Sequence, residues 1–305
     1  MLHQKLAEQM TKMALVLLFA VGCGASGATP SPPPPEPAPP TVQVSAYETN
    51  ELSPLGVLKS TDHGVTWTSL GNATMRDLTV KPVDPVGLTI DGTIVLYFVD
   101  LDSLSQPVPH SIYRATSTDG VNFDKPEPAY TQTDAMVDPA VLRMQDGTFR
   151  LYAPSEEGII SAVSSDGRAF EREEGVRITE GGMPAALLLP DGRVRMFVCG
   201  GGIFSHVSDD GLNFTREEGL RIPPPPKLFI DNPQPVHLRD EGYLMLYQSI
   251  DESALDQPDG WRKDIHLATS SDGTNWATNP AVIANGGTSA LVELPDGTLF
   301  IYYGN

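Results

Sequence analysis

The stretch GIISAVSSDGRAFEREEGVRI, Gly158–Ile178, returns 44 residues later as GIFSHVSDDGLNFTREEGLRI, Gly202–Ile222, with 14 of 21 positions identical. Each copy opens as a strand, turns at Asp-Gly, places an aromatic residue four positions after the aspartate, and runs on to Glu-Glu-Gly. A unit repeated at this period cannot bury its apolar face alone and must stack on its neighbours. Three further copies of the turn follow the same plan: STDHGVTW from Ser60, STDGVNF from Ser117 and SSDGTNW from Ser270. Their aspartates, with those of the two long copies, are Asp62, Asp119, Asp166, Asp210 and Asp272, spaced 44 to 62 residues apart. That is the length of a four-stranded propeller blade with variable loops. Asp-Gly supplies a tight hairpin turn, the aspartate can accept bonds from loop amides, and the aromatic is placed to plug the space between blades.

A second series precedes the first: DPVGLTIDGTIVLYF from Asp84, DPAVLRMQDGTFRLY from Asp138, MPAALLLPDGRVRMF from Met183, NPQPVHLRDEGYLMLY from Asn232 and TSALVELPDGTLFIYY from Thr288. Each reads strand, turn, strand. A blade is therefore an inner strand, a Gly-containing turn, a second strand, a loop, a third strand, the Asp-Gly turn and an outer strand. The body begins at a third strand, GVLKS from Gly56, and the chain stops just after a second strand, TLFIYYGN. Joined, the two ends make one complete blade, so the sequence predicts an all-β, five-bladed β-propeller of four-stranded antiparallel blades, closed by pairing N- and C-terminal strands. Closure removes the exposed edges that an open array would leave, and a monomer is expected.

The 305 residues carry 20 Lys plus Arg against 39 Asp plus Glu, a net −19. Such a surface repels phosphate backbones and anionic lipid headgroups, which argues against nucleic acid. Neutral sugars remain, because carboxylates accept hydrogen bonds from hydroxyls without needing a charged ligand. Lys5 and Lys12, an apolar run from Met13 to Gly22 and then Cys23 read as an export signal, since the run is too short to span a bilayer. AVGC, Ala20–Cys23, resembles a bacterial lipobox, which implies lipidation at Cys23 and anchoring in the bacterial cell envelope. The alternative is secretion with cleavage near Ala25 to Ala28. ATPSPPPPEPAPP, Ala28–Pro40, should run as an extended polyproline spacer. The expected division is 1–22 signal peptide, 23–43 Pro-rich tether and 44–305 propeller. With Cys23 lipidated, Cys199 is left without a partner, and on its strand pattern it reads as a buried, inert thiol.

Blade connectivity puts the Asp-Gly turns on one face and the entries to the inner strands on the other, so the repeated aspartates are structural and chemistry is expected at the entries. Standing there are Asp84, Asp138, Met183, Asn232 preceded by Asp231, and Thr288. Inner strands converge on the axis, so Asp84 and Asp138 are expected to approach each other; an aspartate before proline can equally cap a turn. The loops Val99–His110 and Ser249–Asp264 are long enough to wall a cleft. In the second, Trp261 with Arg262 and Lys263 forms a candidate stacking platform for a sugar ring, and Asn232 is a further substrate-binding candidate. His206, His237 and His266 lack metal-ligand spacing, Asp100, Asp102, Asp251 and Asp256 do not make an EF-hand, and no glycine loop is built to cradle phosphate. Neither metal nor cofactor is expected.

From about residue 44 to 305 the pattern resembles the five-bladed-propeller glycosidases: arabinanases, xylosidases, arabinofuranosidases and fructosidases. The resemblance implies three carboxylates on the inner strands of successive blades: an aspartate base or nucleophile, a second aspartate that tunes it, and a glutamate general acid. It gives Asp84 the first role and Asp138 the second. The third entry is Met183, which cannot transfer a proton, so the acid falls to Glu180 in TEGGMP or to Asp231. Since hydrolysis needs one protonated and one ionised carboxyl group, this third position decides between an enzyme acting on a neutral oligosaccharide and a non-catalytic propeller that holds a sugar or a protein. STDHGVTW, with Ser60, Asp62, Gly64 and Trp67, matches the Asp-box of sialidases, and the other four turns, one residue shorter, resemble it; such enzymes clamp a carboxylate with three arginines, however, and Arg143, Arg150, Arg195 and Arg239 fall in different registers.

Overall fold

The computed structural model describes residues 41–43, 55–105, 109–133, 136–238, 242–254 and 263–304. It is a five-bladed β-propeller. Blade one comprises Pro82–Ile90, Thr93–Asp100, His110–Ser117 and Glu127–Gln132; blade two, Ala140–Arg143, Phe149–Ser155, Gly158–Ser164 and Glu171–Arg172. Blade three comprises Gly182–Leu188, Val194–Cys199, Ile203–Ser208 and Thr215–Arg216; blade four, Leu228–Leu238, Gly242–Asp251, Lys263–Ser270 and Ala277–Thr278. The closing blade takes Ser289–Glu293 and Leu299–Gly304 from the C-terminal end and Leu55–Ser60 and Thr66–Asn72 from the N-terminal end, with Leu55 pairing Gly304 and Ser60 pairing Leu299. Thr41–Gln43 adds a parallel strand outside it. The inner strands touch their neighbours all the way round, so the ring is shut.

Apolar residues of the strands bury themselves between blades, and the described residues form one cluster at each of the five boundaries. The duplicated motif explains how these boundaries lock. In each Asp-Gly turn the glycine amide donates to the serine hydroxyl, which donates to the aspartate; the aspartate in turn accepts one or two loop amides. The aromatic that ends the turn packs edge-on against a second-strand ring of the preceding blade: Phe123 on Tyr302, Phe170 on Tyr97, Phe214 on Tyr152 and Trp276 on Phe197, with centroids 5.6 to 5.9 Å apart. The three tyrosines reach further and donate to turn carbonyls, Tyr302 to Gly120 at 2.9 Å, Tyr97 to Gly167 at 2.6 Å and Tyr152 to Gly211 at 2.9 Å. Burial pushes the Tyr97 hydroxyl up to about 12, so it stays a donor. Tyr152→Phe leaves a buried carbonyl without its donor and is expected to cost about 1–3 kcal/mol, measured as a lower denaturation midpoint with an unchanged m-value.

The charged part of the duplicated stretch is equally structural. Glu173 receives both Arg150 nitrogens at 2.9 and 3.0 Å and the Ser161 hydroxyl at 2.6 Å; Glu217 receives Arg195 at 2.7 and 2.8 Å and Ser205 at 2.7 Å. Arg150 and Arg195 also donate to Asp210 and Gly273 carbonyls of the next blade. These arginines are spent on blade-to-blade contacts.

Hydrogen bonds from Asn122 and loop amides hold the Asp119 carboxyl below its usual range; amides of Asn213 and Leu212 do the same for Asp210. A depressed carboxyl stabilises the fold above its unfolded pKa and loses that contribution as pH falls through its folded value. The melting temperature is therefore expected to drop as pH is lowered from about 4 towards 2, with Asp119→Asn and Asp210→Asn flattening the drop in a calorimetric pH series.

Candidate active site

Four of the five inner-strand entries share one backbone device. Asp84, Asp138, Met183 and Asn232, each followed by proline, take φ of 51°, 47°, 50° and 49°. Left-handed backbone is costly for residues other than glycine, and a following proline restricts the conformation further. Pairing with the second strand skips here, between Val83 and Val86, Gly182 and Ala185, and Asp231 and Gln234. Such bulges re-aim side chains and recur beside functional sites. Thr288, the fifth entry, has neither proline nor positive φ.

The aspartates of blades one and two meet. The Asp138 amide donates to Asp84 Oδ2 at 3.3 Å, and the Thr288 hydroxyl of the closing blade donates to Asp84 Oδ1 at 2.7 Å while accepting the Asp84 amide at 3.0 Å. Three blades thus hold one carboxyl. Asp84 is buried, and Asp138 keeps partial exposure although its Oδ1 is enclosed with no hydrogen-bond partner. Asp231, fully buried on the inner strand of blade four, lies against Lys263 Nζ and likewise has an unpartnered Oδ1. Asn232 Oδ1 accepts the Ser289 amide at 3.3 Å, tying blade four to the closing blade.

Burial drives the Asp84 carboxyl up, opposed by the Thr288 hydroxyl, the Asp138 amide and the Lys263 charge. Asp138 is raised well above the carboxylate range by burial and by the neighbouring Asp84 and Asp231 carboxylates, with Lys263 opposing. Hydrogen bonds to a carboxylate favour its ionised form. Asp84 has two donors and Asp138 has an enclosed oxygen with none, so of the two carboxyl groups Asp138 is the more disposed to hold a proton and Asp84 to ionise. The two neighbouring carboxyl groups therefore differ in environment, the asymmetry that an acid–base pair requires.

Glu180 is engaged elsewhere: it bonds His206 Nε2 at 3.0 Å and pairs with Arg216, on the third and outer strands of blade three. Trp261, Arg262 and Cys23 lie outside the described residues. Lys263, read from sequence as part of a loop, is instead the first residue of a third strand and buried. The loop itself is shorter than expected, because the flanking strands extend to Asp251 and from Lys263. No sequence signal marks Lys263, since its partner Asp231 is 32 residues away. Cys199 is buried as expected, its thiol pushed well up by burial and by Asp231. His206 and His266 are buried, whereas His237 is exposed. Among the described residues no group of three or more His, Cys, Asp or Glu side chains is arranged to hold a metal ion.

No protein family and no curated protein matches the sequence. Solved structures do match the fold. An endo-arabinase from Bacteroides thetaiotaomicron aligns over 73% of this chain and 89% of its own, with a TM-score of 0.57 and 17% identity. An endo-1,4-beta-xylanase from the same organism aligns over 74% and 85%, with a TM-score of 0.54 and 16% identity. A thermostable family-43 glycoside hydrolase aligns over 73% and 84%, with a TM-score of 0.56 and 16% identity. At these identities the likeness is one of architecture.

Proposed function

We propose that the protein is an exported glycan-active propeller, lipid-anchored through Cys23, that binds a neutral oligosaccharide at the axis and hydrolyses it with the Asp84–Asp138 pair. The observation that carries this reading is the meeting of two aspartates from separate blades, the Asp84 carboxyl accepting two hydrogen bonds and Asp138 Oδ1 enclosed without a donor. Asp138 delivers its proton to the leaving oxygen, and Asp84 acts from the ionised state as base or nucleophile. Asp231, held by Lys263, shapes the field at Asp138. The glycosidase architecture of the solved neighbours supports a sugar as ligand.

A second reading has its own support. Met183 fills the third entry, and Glu180 is held by His206 and Arg216, so a funnel that only binds is the competitor. Purified protein incubated with aryl pentosides, fructosides and plant glycans separates the two. Release of aglycone or reducing ends by the wild type, lost in Asp84→Asn and Asp138→Asn, is expected. Glycan binding without turnover, unchanged in both variants, would leave the binding module.

A further inference from the structure

Lys263 begins a third strand, a position normally well away from a propeller axis, yet it takes part in the acidic cluster there. The register shows how. Ile265, two residues on, pairs with Gln248 of the second strand, and Gln248 pairs with Asp231 of the inner strand. The lysine stem crosses this sheet, passes the Phe229 ring with Nζ 5.5 Å from its centroid, and ends on Asp231. Lys263 is 5% exposed and Asp231 0%. Taking a charged pair out of water is expensive and contributes little to stability by itself, so its retention at an axis bearing two more carboxyl groups calls for an electrostatic reason.

The groups facing the cluster come from five elements. Asp84 lies on the inner strand of blade one, Asp138 just before that of blade two, Cys199 on the second strand of blade three, and Asp231 and Lys263 on blade four. Cys199 is a neutral thiol. Lys263 is a cation that acts on both Asp84 and Asp138, against the burial that favours neutralising each carboxyl group. Were both protonated at neutral pH, no base would remain. We propose that Lys263, anchored by Asp231, is a positioning residue that keeps the Asp84–Asp138 pair singly protonated. This rests on the pair being the working acid and base, but its test does not.

Carboxyl carbon signals of 13C-aspartate-labelled protein, assigned with Asp84→Asn and Asp138→Asn, report the titration directly whether or not a substrate is turned over. Lys263→Met is expected to move the first ionisation of the pair upward by about one pH unit, with the acid limb of any pH–rate profile moving equally and turnover below it falling about tenfold. Lys263→Arg, which keeps the charge, should stay near wild type. Asp231→Asn, which removes a neighbouring anion, should move the pair downward; if Lys263→Met does not fold, Lys263→Gln, which also lacks the charge but keeps a polar end for Asp231, carries the test with the same upward shift expected. An unmoved pair in both variants, or shifts of the same sign, overturns the assignment. Variants that show these shifts beside a wild type that turns over no glycan sink the hydrolase reading and leave this one standing; an active wild type with unmoved titrations in the variants does the reverse.

Discussion

Replacing Asp138 with asparagine is expected to lower glycoside turnover by about 10²–10⁴-fold, the range that a positioned proton donor supplies. The same substitution should make the protein more stable at neutral pH. Asp138 is raised in the folded state, so the native protein binds a proton there that the unfolded chain has released. Such a group favours folding least above its folded pKa, and the loss accumulates as pH rises from the unfolded value of about 4. Asparagine removes that loss and keeps the shape. Each kcal/mol gained would raise the melting temperature by roughly 2–4 °C, with the advantage shrinking as pH is lowered towards 4. A collapse in turnover together with a higher melting temperature separates a catalytic aspartate from a turn cap, whose removal would lower stability and leave activity largely intact. Asp84→Asn should match it in turnover but not in stability, because Asp84 is held by Thr288 and by the Asp138 amide.

The largest structural effect is expected at the first residue of the duplicated stretch. Gly158 has φ of 133°, and a Cβ there would stand 2.4 Å from the Ile178 carbonyl oxygen. Ile178 is the last residue of the stretch: its carbonyl accepts the Ile159 amide at 2.8 Å, while the Arg177 amide donates to the Ile159 carbonyl at 2.7 Å. The two ends of the repeat are therefore hydrogen-bonded neighbours, with backbone on both sides of the glycine. Gly158→Ala adds steric overlap to a conformation that side chains rarely adopt, and should cost about 3 kcal/mol or more. Gly202 has φ of 126° and 3.0 Å to the Ile222 carbonyl oxygen. Gly202→Ala should be milder, since several tenths of an ångström of adjustment relieve the contact. Denaturant melts of the two variants test the order; equal costs would mean that the return segments shift freely.

The ring was legible because its signals are local. Asp-Gly turns, alternating strands and the split of one blade between the chain ends are all written in contiguous residues, and the aromatic closing each turn lies where sequence spacing puts it. The proximity of Asp84 and Asp138 was also foreseeable, since equivalent positions of adjacent inner strands must converge on the axis. Their left-handed backbone was not, because residues before proline normally prefer extended conformations.

By itself, the sequence determined the number of blades, the closure and the face on which acidic side chains gather, since each follows from period and order along the chain. Only the tertiary structure decided which groups share the axis: it drew Lys263 in from a third strand, bound Glu180 to His206 and Arg216, and set Thr288 against Asp84 from the opposite end of the chain. The reason is physical: a hydrogen bond or ion pair depends on ångströms in space, and Asp231 with Lys263, or Glu180 with Arg216, occupy no equivalent positions of the repeat that would mark them as partners.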